Sequence, residues 1–155
     1  MRWVTRRYIH VNRTATAWLI RRFLDPDAEI QFVDPDQVAA VQRSVGAVGF
    51  DAPGATYPHK DGQGRCSFEQ LVEERVAGDA ALRRLARIVH GADFPEEPST
   101  EPESRGLWAI SQGFTEVGRD DGDIVARASF LYDSLYAHLQ ALLAKETAAG
   151  IRARP

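Results

Sequence analysis

Hydrophobic and polar positions change period several times along the first fifty residues. Trp3 to Val11 is rich in Trp, Val, Thr, Tyr and Ile and predicts a strand. Asn12 then offers a cap for a helix from about Arg13 to Leu24. In that helix Ala17, Leu19, Ile20 and Phe23 form the apolar side with Trp18 beside them, and Arg21 and Arg22 lie opposite. Asp25-Pro26-Asp27 ends it. Glu29 to Val33 predicts a second strand. Asp34, Pro35 and Gln37 sit where a helix start wants a cap, a proline and an amide, and that helix reaches about Ser44. Ala47 to Phe50 predicts a third short strand.

The order β-α-β-α-β favours a small parallel three-stranded sheet with right-handed crossovers. The rest of the pattern is helical. Ser67 is placed to cap a helix to about Val76, with Gln70 in the capping-box position. Asp79 is placed to cap another to about His90, striped by Leu82, Leu85, Ile88 and Val89. Further helices are expected over about Ser104 to Phe114 and Asp123 to Thr147. The expected class is therefore α/β to α+β, the sheet being followed by a helical C-terminal half. Residues 1–149 read as one domain and residues 150–155 as a flexible tail. The stretch from Asp51 to Cys66 is long for a loop in a compact domain, and such loops are usually functional or mobile. Residues 94–103 are rich in Pro and acid and read as exposed loop.

Composition narrows the class. With 155 residues and 44% hydrophobic content, one core suffices. No apolar run approaches the roughly 20 residues of a membrane span, and the N-terminus lacks the apolar stretch of a secretory signal. The cytoplasm is the expected location. A single cysteine, Cys66, excludes an intrachain disulfide and a thiol-rich zinc module.

The net charge of −3 hides an asymmetry. Residues 1–22 carry Arg2, Arg6, Arg7, Arg13, Arg21 and Arg22 and no acid. Residues 93–123 carry nine acids against Arg105 and Arg119. The two segments attract one another, or stay solvated, or the basic one meets an anion. Nineteen residues are basic and only Lys60 and Lys145 are lysines. Arginine suits planar oxyanions because its fork donates two parallel hydrogen bonds. Arg6, His10 and Arg13 gather at the strand end and helix start, so they are the candidate anion site.

Candidate metal ligands are His59, Cys66, Glu69, His90 and Asp93. His90 and Asp93 are three apart, on one face if the helix persists. Imidazole, thiolate and carboxylate together suit zinc or another first-row divalent metal. Ordinary structural roles are the alternative: Glu69 as a dipole partner, His90 as a helix C-terminal cation, Cys66 as a small buried hydrophobe. Arg65 and a helix start beside Cys66 predict a lowered thiol pKa. Tyr132 and Tyr136, four apart, are expected in the core.

Several strings together are characteristic. His10-Val-Asn-Arg-Thr-Ala-Thr-Ala-Trp-Leu-Ile-Arg-Arg-Phe-Leu-Asp25 resembles the opening block of the chromate-resistance protein family, specifically the ChrB-type C-terminal domain. Gly64-Arg-Cys-Ser-Phe-Glu69, Leu85-Ala-Arg-Ile-Val-His-Gly-Ala-Asp93 and Leu131-Tyr-Asp-Ser-Leu-Tyr136 resemble its later blocks, in order. The resemblance implies a domain that binds or senses a metal or oxyanion in heavy-metal stress. Such proteins are associated with chromate-responsive control of a resistance operon and commonly carry an extra N-terminal region ahead of this domain, which weakens the expectation of a regulator function for this sequence. A small oxyanion, a metal ion or a regulatory protein is the implied partner, and DNA binding is not expected without the extra domain. The family usually has Asp where Asn12 stands; Asn caps a helix equally well but cannot supply a negative charge to a metal, so no ligand role is expected there. The alternative function is a metal-dependent hydrolase or redox enzyme with Glu69 or His90 as general base.

Overall fold

A computed structural model describes the backbone of residues 1–153 and the side chains of residues 1–150. Three parallel strands, β1 (Arg2–Arg6), β2 (Glu29–Val33) and β3 (Val48–Gly49), form a sheet of order β2-β1-β3. Trp3 pairs with Ile30 on one side and Val48 on the other. The middle strand is the most buried, with Trp3, Val4 and Thr5 all buried, as expected where both neighbours and both faces are covered. The strand is shorter than the sequence pattern predicts. Its last partner, Val33, ends β2, and the chain turns at Tyr8 with a positive φ of 59°. Asp121 takes the amides of Tyr8 and Ile9 that a longer strand would have offered to a neighbour.

Helix α1 (Val11–Leu19) runs on into a π turn at Ile20–Leu24. It is almost wholly buried and packs against α3 (Ser67–Arg75), α4 (Ala80–Asp93) and α7 (Asp121–Ala153). Asn12 does not cap it. The helix starts two residues earlier than expected, at a His10 N-cap with no side-chain bond, and Asn12 is buried inside the first turn. Helix α2 (Val38–Val45) follows a 3-10 turn at Pro35–Gln37 and ends at Gly46. Helices α5 (Glu103–Gln112) and α6 (Phe114–Val117) lie between α4 and α7 in sequence. Residues 150–153, where the tail was expected to begin, continue α7, and the end of that tail lies outside the described residues.

The core forms where α1 meets α7. Trp18 stacks near Tyr132, at 5.8 Å between ring centres, and sits edge-on to Phe23 at 5.3 Å. Its Nε1–H donates to Asp133 at 3.0 Å. Tyr132 is fully buried, and its hydroxyl donates to the Val11 carbonyl at 2.9 Å beside the Thr14 hydroxyl. Burial pushes that phenol up. The expectation that Tyr132 and Tyr136 belong to the core agrees with this packing.

Among the described residues, arginines of the basic segment pair with acids outside the acidic one. Arg7 meets Asp34 at 3.1 Å and Arg22 meets Asp133 at 3.3 Å, while Arg6 and Arg13 both turn to Asp51. No helix among the described residues is long and apolar enough to cross a membrane.

Candidate functional site

The candidate ligands come from four places: the 51–66 loop, the start of α3, the end of α4 and the loop after it. The loop is ordered. Phe50 bridges to Tyr57 and Lys60 to Cys66, and Asp61 accepts the amides of Gln63 and Arg65, each at 2.9 Å. This places Cys66 at the N-cap of α3. The helix starts with a capping box one register earlier than the Ser67/Gln70 pattern predicts: Glu69 accepts the Cys66 amide at 2.8 Å while the Cys66 sulfur faces the Glu69 amide. Ser67 instead turns inward to Asn12. The box brings thiol and carboxylate together at one helix end.

Asp79 caps α4 by accepting the Leu82 amide at 2.9 Å, as its sequence position predicts. The helix continues one turn past the expected end, so His90 and Asp93 do share its last turn. Their side chains serve different groups. His90 joins Cys66 and Glu69, whose donor atoms all lie within 4.8 Å of one another. Asp93 joins His59 and Asp51 in a second group of the same tightness. The five ligands anticipated as one cluster are therefore two clusters. Phe94 stands between them, its ring centre 5.0 Å from that of His59 and 4.9 Å from that of His90.

His90 lies between two carboxylates, with Nδ1 2.6 Å from Glu69 and Nε2 2.9 Å from Glu97. Burial pulls its pKa down, but the hydrogen bonds to Glu97 and Glu69 outweigh this and hold it above the ordinary value. Lys60 pairs with Glu97. Glu97 was not anticipated as part of the site, because it lies in the Pro-rich loop where acids are expected to be solvated. Cys66 is fully buried. Burial and then the Glu69 charge push its thiol well up, which corrects the expectation of a lowered value. Arg65 points away, to Asp61 and Glu73. A cleft of about 180 Å³ opens beside Glu69 and His90, with Ser99 and Thr100 on its other wall. Gly91 lets that wall approach α4, since a Cβ there would lie 2.5 Å from the Ser99 hydroxyl.

The second group is built on Asp51, which sequence reasoning missed. Its only signal was its position before a Pro-Gly turn. Asp51 is 1% exposed and holds a positive φ of 52°. One oxygen accepts from Asn12 at 2.9 Å and meets His59 Nδ1 at 2.6 Å. The other accepts from Arg13 at 2.7 Å, with Arg6 at 3.4 Å. Burial alone would raise this carboxyl, but the His59 hydrogen bond and the two guanidinium charges hold it below the ordinary range. The Asp51 hydrogen bond raises His59 against its burial. Burial, then the nearby Asp51 charge, pushes Asp93 up to about 6.

Two of the three expected anion ligands thus converge, but on an internal acid. Arg6 and Arg13 bind Asp51, and His10 stands apart with Nδ1 3.3 Å from the Ser111 carbonyl.

These shifts carry a sign. Histidines with folded pKa raised above the ordinary 6.5 stabilise fully below that value, and the gain is lost as pH rises through the folded values. Asp93 binds its proton more tightly when folded, so its contribution is lost as pH rises from 3.8 through about 6. Asp51, being lowered, contributes above the ordinary 3.8 and loses its contribution as pH falls. The metal-free protein is expected to lose unfolding free energy as pH rises past the ordinary histidine value of 6.5. Urea unfolding in chelator at pH 5.5, 7 and 8.5 checks this, and a rise over that range contradicts it.

The family model for the ChrB C-terminal domain matches residues 3–139. Protein ChrB of Cupriavidus metallidurans is 35% identical over 137 residues, covering 88% of this chain and 40% of that protein. The chain therefore spans about two fifths of the length of that relative. No solved structure matches it.

Proposed function

The chain belongs to the ChrB C-terminal domain family, and we propose that it is a metal-binding domain acting in chromate resistance, holding a zinc-class divalent ion between Cys66, Glu69 and His90. The observation that carries this reading is the meeting of one thiol, one carboxylate and one imidazole within 4.8 Å. Sulfur, nitrogen and oxygen in one set suit zinc, and among the described residues no arginine pairs with any of the three. Glu97 strengthens the case. With Glu69 on the Nδ1 side, His90 offers Nδ1 to a metal and gives its Nε2–H to Glu97, the carboxylate–histidine arrangement that fixes a ligand's tautomer and raises its basicity.

The high thiol pKa belongs to the metal-free state. A bound cation deprotonates a coordinating thiol outright, replacing its proton. Cys66, Glu69 and His90 would hold the ion, which with three protein donors could also take water or a small anion; a cleft of about 180 Å³ lies beside Glu69 and His90. An oxyanion held by Arg6, His10 and Arg13 has less support, because two of these already neutralise Asp51. Zinc titration of chelator-treated protein against a chromogenic competitor tests the proposal. One tightly held ion per chain is expected. No competition for zinc would overturn it.

A further inference from the structure

Asp51, His59 and Asp93 are more than an internal ion-pair network. Their donor atoms lie within 4.8 Å of one another. Nδ1 of His59 is the shared corner, 2.6 Å from Asp51 Oδ1 and 3.6 Å from Asp93 Oδ2. Asp93 Oδ2 is buried and accepts no hydrogen bond among the described residues. A buried carboxylate oxygen without a donor is costly. A cation held between the three donor atoms would supply the partner this oxygen lacks.

Asp51 is prepared for such a role. Arg13 and Arg6 occupy Oδ2, and Asn12 uses one lone pair of Oδ1. The remaining lone pair of Oδ1 is directed toward His59. Carboxylates that bind metals are commonly oriented by partners of this kind. His59 is 41% exposed on its side chain and gives an ion a route from solvent.

We propose that Asp51, His59 and Asp93 form a second cation site, distinct from the Cys66 site, for a divalent ion of the manganese(II) class. The class follows from the donors. Two carboxylates and one imidazole, with no sulfur, suit oxygen-preferring ions. The two guanidiniums sit on the far oxygen of Asp51 and offset part of the carboxylate charge, so this site binds more weakly than the cysteine site. The proposal does not depend on zinc binding at Cys66.

Manganese(II) counted by the loss of its free-ion electron-paramagnetic signal tests it, on protein given one equivalent of zinc per chain and no excess, so that the tighter cysteine site is filled and the second is left open. One bound manganese per chain is expected. His59→Ala and Asp93→Asn should each weaken it by more than the roughly 10–100-fold typical of losing an orienting partner, and Cys66→Ser should leave it in place. The half-exposed His59 tolerates truncation, so that variant decides the matter even if Asp93→Asn fails to fold. No bound manganese in the zinc-loaded protein overturns the proposal. So does manganese binding that His59→Ala leaves unchanged, or that Cys66→Ser abolishes. If zinc does not bind at all, the same count on the metal-free chain still decides.

Discussion

Asp51→Ala is expected to destabilise the protein by about 3–5 kcal/mol, the usual cost of removing one partner of a buried ion pair. Arg13 is the reason. Its side chain is 10% exposed and its closest acidic partner is Asp51, 2.7 Å away. Without Asp51, a buried guanidinium is left uncompensated and Asn12 loses its acceptor. Native stabilities are only about 5–15 kcal/mol, so the loss is a large fraction of the whole. It lowers the thermal midpoint by about 6–20 °C in a chain of this size. Alanine also fits poorly at the positive φ that Asp51 holds. Asp51→Asn separates the two causes, because asparagine tolerates that conformation and lacks only the charge. It should retain most of the defect if charge dominates. Thermal and urea unfolding of both variants, beside Arg6→Ala on the more exposed partner, supply the check. An Asp51→Asn protein as stable as the parent contradicts the charge account.

The second large effect concerns metal affinity. Cys66→Ser and His90→Ala should each lower zinc affinity by at least about 100-fold, above the range for an orienting partner alone. Glu97→Gln should fall within that range, about 10–100-fold, because it still accepts from His90 but lacks the charge that raises ligand basicity. The ordering is the informative part. A structural histidine held by two carboxylates would make His90→Ala costly to stability and leave zinc affinity unaltered. Zinc competition run with circular dichroism separates these results.

Much of this was legible in the residues because it depends on local rules. The β-α-β-α-β order, Asp79 as a cap and the α4 stripe follow from periodicity and capping chemistry, and each agrees with the fold. Three-residue spacing puts His90 and Asp93 in the last turn of α4, but spacing does not show which neighbours each side chain meets. That is decided by where the loop carries His59 and by Phe94 between the two imidazoles. The capping register was missed by one residue because Ser is the better cap by propensity, yet Ser67 is drawn inward to Asn12. Asp51 was hidden for a different reason. Its partners Arg6, Asn12 and Arg13 lie some forty residues away, and only parallel pairing of β1 with β3 brings the start of the loop beside them. The arginines therefore read as an anion site when their anion was part of the chain.

Cobalt(II) substitution tests the metal claim most directly, because a thiolate bound to cobalt absorbs strongly in the near ultraviolet and neither carboxylate nor imidazole does. One equivalent of cobalt added to the metal-free protein should produce that band. Zinc should abolish it, and Cys66→Ser should lack it while folding normally. A folded, cobalt-saturated parent protein with no thiolate band would contradict a metal held by Cys66.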